Sequence, residues 1–248
     1  DEKYKYKHSF IWECFSALIQ NILSIPIKWC YLKFKFGHKF IGREKYKECK
    51  DTGFFIYSNH TQAFSDTFTT SMSVLPKRNY LIVHPANISV KPFGGLVELL
   101  GAIPIPGNVT ATKKFMDVIE DRVVNKKQSI TIYPEAHIWP YYVGIRKFKA
   151  VSFTYPVKLN KPVFCVTNTY QKKNNNSKVK MVSYIDGPFY PDMSLNKKDA
   201  QNKLRDIVYE KMVERAKNSN VEVVKYIKNI DNLTNMNDNS NVEKSERN

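Results

Sequence analysis

The feature that most constrains the fold is a run that leaves no face for solvent. Phe54-Phe55-Ile56-Tyr57-Ser58 is apolar on both alternating sides and then stops at the polar turn Asn59-His60-Thr61-Gln62. A strand with apolar side chains on both faces must be covered on both, the requirement of a sheet packed between layers of helices. Its end delivers an imidazole, and a carboxylate, Asp66, follows six positions on. Histidine titrates near neutral pH, so the chain places a base where pockets open in an α/β sheet.

The rest of the chain repeats this alternation. Strand-like runs at 53–58, 80–84, 102–105, 129–133, 162–169 and 178–185 are separated, most clearly in the first half, by stretches of helical period. The clearest helix is 111–124, where Phe115, Val118, Ile119 and Val123 recur at three and four, with Thr110 as its expected cap. A second, 198–217, carries Leu204, Ile207, Val208, Met212 and Ala216 on one stripe. The expected fold class is α/β: a single domain with a mostly parallel mixed sheet flanked by helices. The chain divides into an N-terminal membrane-associating helical segment (1–48), the α/β domain (49–228) and an Asn-rich tail (229–248) too polar to bury a core. Residues 172–178 read as an exposed hairpin loop, and no internal repeat is present.

Charge bounds the partners. Lys and Arg number 39 against 23 Asp and Glu, a net charge of +16 on a chain of 248 residues that is 13% aromatic. That excess decorates a folded body, not a disordered basic tail, and calls for an anionic partner: nucleic acid, an anionic membrane surface or a phosphorylated metabolite. No aromatic and basic nucleic-acid recognition signature accompanies it, so no nucleic-acid partner is expected. Cys14, Cys30, Cys49 and Cys165 form no Cys-x-x-Cys pair, so neither a zinc site nor a disulfide framework is encoded, and a reducing cytoplasm suits the chain. No cleavable signal peptide is recognisable from Asp1 onward.

Residues 10–32 are mostly apolar but interrupted by Glu13, Gln20, Asn21, Pro26 and Lys28. The uninterrupted runs fall short of the roughly 20 residues a bilayer span needs. Trp12, Trp29 and Tyr31, with Lys3, Lys5, Lys7, Lys33 and Lys35 around them, suit the headgroup zone, so the segment is expected to lie on a membrane and not to cross it.

Four blocks stand in a telling order: Asn59-His60-Thr61-Gln62 with Asp66; Leu100-Gly101-Ala102-Ile103-Pro104-Ile105-Pro106; Ile132-Tyr133-Pro134-Glu135-Ala136-His137-Ile138-Trp139-Pro140; and Asn160-Lys161-Pro162-Val163-Phe164-Cys165-Val166. Over residues 50–190 this series resembles the lysophospholipid and glycerolipid acyltransferase family. The resemblance implies transfer of a fatty acyl group from a thioester, acyl-CoA or acyl carrier protein, to a hydroxyl of a lysolipid or other glycerolipid. His60 would be the general base and Asp66 its orienting acid. Asn59, Thr61, Gly101, Pro134, Glu135 and His137 would line the substrate site. The thioester is a co-substrate, so no cofactor and no metal is implied. The place of work would be an anionic membrane surface, the cytoplasmic face of the cell membrane.

Two departures from the family pattern set questions for the structure. Four residues ordinarily separate His and Asp, and here five do, so Ser65 stands where the acid is expected. An extra residue inside a helix turns Asp66 by about 100° away from the ring. An extra residue in the preceding turn keeps the pair, and this second arrangement is the expected one. The family's arginines after the second and third blocks are replaced by Pro106-Gly107 and by Ala136-His137-Ile138, leaving Arg146, Lys147, Lys149, Lys113 and Lys114 to offer a cation to an acceptor phosphate. Backbone N–H groups after His60 or after Pro134 are the expected oxyanion donors. A catalytically silent lipid-binding member of the same fold is the alternative.

Overall fold

The computed structural model describes residues 4–89, 92–173 and 176–227. Seven strands, β1 (Lys39–Ile41), β2 (Phe54–Ser58), β3 (Asn79–Val83), β4 (Ala102–Pro104), β5 (Ser129–Ile132), β6 (Val163–Lys173) and β7 (Asn176–Phe189), form one sheet in the order β1-β7-β6-β2-β5-β3-β4. All neighbours run parallel except β6 and β7, which pair antiparallel, so the sheet is mixed as expected. The arms of the expected hairpin are β6 and β7. Its tip at Asn174 and Asn175 and the tail at 229–248 lie outside the described residues.

β2 lies between β6 and β5, the position its composition demands. Phe55 and Tyr57 pack with Phe115, Ile119, Phe153 and Leu204 on one face, while Phe54 and Ile56 pack with Phe164, Val166 and Ile185 on the other. All four β2 residues have no exposed surface. Each such large apolar side chain taken from water stabilises the fold by roughly 1.5–3 kcal/mol, which makes the register of β2 expensive to slip.

Local differences have local causes. β1 has no counterpart among the expected strands, because three residues of mixed polarity carry no periodic signal. The helix expected at 111–124 begins at Val109 and runs to Glu120, followed by a π-turn, Asp121–Asn125. Its cap is Asn108, whose Oδ1 accepts from the Ala111 N–H at 2.7 Å, and Thr110 lies inside the first turn instead. The last helix, Lys197–Ala216, falls within one residue of expectation.

The largest correction concerns the N-terminus. Residues Phe10–Phe36 form one continuous helix of 27 residues with a π-turn at Ile19–Leu23. By length and a mean hydropathy of 1.4 it suffices to cross a membrane, so the polar interruptions do not shorten it. They mark its inner face. Glu13 pairs with Arg122 and Arg78, and Ser16 and Gln20 donate to the Leu99 carbonyl at 2.7 and 3.0 Å. Leu32 and Phe36 are buried farther along the helix. Pro26 is accommodated just after the π-turn, where the bonding pattern has already shifted. Phe10, Ile11, Phe15, Ile22, Ile27 and Phe34 remain exposed.

Candidate active site

His60 follows the carboxyl end of β2, and its neighbour Asn59 anchors that end. The Asn59 amide spans the backbone of Asn168 in β6, donating to its carbonyl at 3.0 Å and accepting from its N–H at 2.8 Å. With 1% of its surface exposed and both amide atoms engaged, Asn59 holds the turn.

The turn then runs to the helix Ser65–Ser73, whose first turn contains Asp66. With five residues between His60 and Asp66, the acid still reaches the ring. Asp66 Oδ2 lies 3.0 Å from His60 Nδ1 and accepts the N–H groups of Thr61 and Gln62 at 2.6 and 2.7 Å. Asp66 Oδ1 accepts from Asn168 Nδ2 at 3.0 Å. Four donors saturate a carboxylate with no exposed surface. Burial still raises its pKa above the ordinary value, against the pull of His60 and the two N–H groups. The His60 side chain keeps 15% of its surface exposed, so the ring is oriented from behind and open in front.

A second loop closes on the first. Tyr133, at the carboxyl end of β5, stacks its ring on that of His60, with centroids 4.3 Å apart and planes at 18°. Beyond it the chain turns through Ala136, which takes a φ of 65°, and Trp139 and Tyr141 donate their N–H groups to the His60 and Thr61 carbonyls at 3.0 and 3.1 Å. Glu135, 7% exposed, accepts from Arg146 Nε at 2.8 Å, while its Oε1 is buried without a partner. Burial pushes the Glu135 pKa up to about 7 despite that guanidinium. Arg146 also donates to the His137 carbonyl and stacks over Trp139, 4.8 Å from its centroid.

Several sequence expectations are corrected here. Gly101 precedes β4 and so lies at the amino end of the sheet, opposite His60. There its φ of +98° disfavours any side chain, and a Cβ would come within 2.9 Å of the Asn79 carbonyl oxygen. Thr61 is fully buried, its hydroxyl 2.7 Å from Tyr170 Oη, which makes it part of the frame. Lys147 is exposed and lines a hollow with Arg205 and Asp206 on the C-terminal helix. His137 is exposed and meets the site through its backbone. Arg146 is committed to Glu135. Pro134 is half-buried at the loop's entry. Most of the expected oxyanion donors are spent, Thr61 and Gln62 N–H groups on Asp66 and Ala136 and His137 N–H groups on the Tyr133 and Glu135 carbonyls, which leaves the Glu135 N–H after Pro134. Sequence reasoning misses Tyr133 and Asn168. The available signal for Asn168 is the polar Thr167-Asn168-Thr169 directly after the apolar run 163–166, since it ends that run at the level of Ser58.

The Acyltransferase family model matches residues 38–168, more than half of the chain and the whole of this site apart from its outer frame. The chain belongs to the acyltransferase family. This acyltransferase also shares its fold with a solved structure, the 1-acyl-sn-glycerophosphate (LPA) acyltransferase PlsC from Thermotoga maritima. The two are similar at a TM-score of 0.55 and 17% sequence identity, over 88% of this chain and 80% of that one. No curated protein matches the chain in sequence. Among the described residues no group of three His, Cys, Asp or Glu side chains is placed to hold a metal ion.

Proposed function

We propose that this acyltransferase moves a fatty acyl group from acyl-CoA or acyl carrier protein to a hydroxyl of a lysophospholipid or related glycerolipid, with His60 as general base. The observation that carries this reading is the 3.0 Å contact between His60 Nδ1 and the saturated Asp66 carboxylate behind a partly open ring. With Nδ1 donating to Asp66, the other nitrogen, Nε2, is left unprotonated to take the proton of the acceptor hydroxyl. The oxygen attacks the thioester carbonyl, the tetrahedral intermediate collapses, the C–S bond breaks, and the imidazolium returns its proton to the leaving thiolate. No acyl-enzyme is required, because the thioester is already activated.

The Glu135 N–H, in the turn after Pro134, has no backbone partner among the described residues and is the donor offered to the oxyanion. The N-terminal helix supplies the membrane attachment. Its polar face is bonded to the domain, so its exposed apolar face lies in the headgroup and acyl boundary of the cytoplasmic leaflet, parallel to the surface. The 3.0 Å approach of Asp66 to the His60 ring supports the catalytic reading over a silent lipid-binding protein of the same fold.

A thiol-release assay crossing acyl-CoA and acyl carrier protein donors with glycerol 3-phosphate, lysophosphatidate and neutral lysolipids tests the reading. Replacing His60 by Ala should lower turnover by about 10²–10⁴-fold with folding intact. Wild-type turnover in His60→Ala, measured on protein of unchanged circular dichroism, defeats the mechanism.

A further inference from the structure

A sizeable cavity lies at the opposite end of the sheet from His60. It has a volume of about 840 Å³ and lies under the amino ends of β2, β3 and β5, lined by Phe54, Arg78 and Gln128 at or just before the starts of those strands. Volume in this range accommodates a small ligand. Seven of its fifteen lining residues are Lys or Arg, and one, Glu44, is acidic. Three separate stretches of chain supply these cations: the 3₁₀ helix Arg43–Cys49 with Lys50 directly after it, the loop 74–78 and the turn 126–128. Convergence of this kind differs from a solvated lysine face, in which the charges spread along one element.

Most of that charge is unbalanced. Arg78 is paired with Glu13 and Lys126 with Asp121, but Arg43, Lys47, Lys50, Lys77 and Lys127 have no acid within 4.0 Å among the described residues. Asp51 is the further acid acting on Lys77. Lys77 donates all three ammonium hydrogens to the carbonyls of Lys50, Thr52 and Lys127, so it contributes fixed charge and no free donor. Arg43 spends Nε and one terminal nitrogen on the Ser73 and Leu75 carbonyls, at 2.8 and 3.2 Å, and keeps the other. Two lining residues hold a buried polar atom without a partner, Arg78 Nε and Gln128 Oε1. Tyr46 and Phe54, stacked with centroids 5.2 Å apart and planes at 10°, give the cavity an aromatic wall. A concave site of one sign concentrates counter-ions of the other, and compact multiple charge suits a phosphate group more than a single carboxylate.

We propose that this cavity is a second binding site, separate from the catalytic end, for a phosphate-bearing ligand, either free or as the headgroup of an anionic lipid. The site needs nothing from His60, so its test stands apart from the acyl-transfer reading. The probes are inorganic pyrophosphate, followed by isothermal titration calorimetry, and vesicles of phosphatidylglycerol or phosphatidylcholine, followed by flotation. The proteins are the wild type, His60→Ala, the cavity variant Lys47→Glu/Lys50→Glu/Lys127→Glu, and a control with equal charge change away from the cavity, Lys158→Glu/Lys198→Glu/Lys217→Glu. All six lysines are exposed, so each variant should fold.

Pyrophosphate should bind wild type, His60→Ala and the control alike, and at least tenfold more weakly to the cavity variant. A lipid source shows instead as loss of phosphatidylglycerol vesicles by the cavity variant alone, with phosphatidylcholine unaffected. The proposal is overturned if the cavity variant keeps wild-type affinity for both probes, or if the control loses as much as the cavity variant does.

Discussion

Two buried carboxylates face the same histidine end of the sheet and are built in opposite ways. Asp66 receives four hydrogen bonds and has no oxygen to spare, whereas Glu135 receives one ion pair and leaves Oε1 unpartnered. The difference shows what each can do. A saturated acid fixed in the first turn of a helix holds a ring in place and stays put. An undersatisfied acid with a pKa near 7 changes its charge near neutral pH, and the guanidinium that restrains it is itself pinned between a backbone carbonyl and Trp139.

The sharpest break in this comparison is Asp66→Asn. It should lower turnover by about 10²–10⁴-fold, because an amide turned toward the ring no longer selects the tautomer. It should also destabilise the fold, because an amide nitrogen in place of an oxygen cannot accept the Thr61 and Gln62 N–H groups. Steady-state kinetics and urea unfolding read the two effects, and unchanged kcat would mean that the acid is only a structural brace. Arg146→Met comes next. It leaves Glu135 buried without its cation, costing about 1–3 kcal/mol at pH 8. The cost should be smaller at pH 5, where Glu135 is protonated, and equal losses at the two values would contradict this reading.

Glu135→Gln probes the same acid more gently. The native pKa lies at about 7 and the ordinary value at 4.5, so between these values the folded protein binds more protons than the unfolded chain. The contribution of Glu135 to stability is therefore fully present below pH 4.5 and is lost as pH rises through 7. The variant should show a flatter urea midpoint across that window, and an unaltered slope would place the titration elsewhere. The smallest expected effect is at the outer end of the chain of contacts. Tyr226 stacks on Trp139 at 4.9 Å and 12° and donates to the Pro140 carbonyl at 2.9 Å. Tyr226→Ala should cost about 0.5–1.5 kcal/mol beyond the lost burial and loosen the Glu135 loop, readable as faster amide exchange at Trp139 and Tyr141.

Much of the architecture is legible in the sequence because its signals are local. Both-sided apolarity at 54–57 requires a strand covered on both faces, periodicity locates two long helices, and the order of four blocks points to the family before any contact is known. Boundaries follow less well: Asn108, not Thr110, caps its helix, because both residues have capping side chains and only backbone geometry selects one. The N-terminal segment reads as broken when its polar residues are counted along the line. In the folded protein Glu13, Ser16 and Gln20 share one side and bind the domain.

By itself, then, the sequence determined which strand is covered on both faces, where the imidazole emerges and that an acid stands six residues away. Whether that acid meets the ring depended on the path of the turn between them, and only the tertiary structure brings Asp66 Oδ2 to 3.0 Å from His60 Nδ1. Tertiary structure alone decided that Gly101 belongs to the far end of the sheet, that Asn59 and Thr61 are framework, and that cations from three stretches converge beneath β2. These are relations among residues distant along the chain, and no pattern within a short window encodes them.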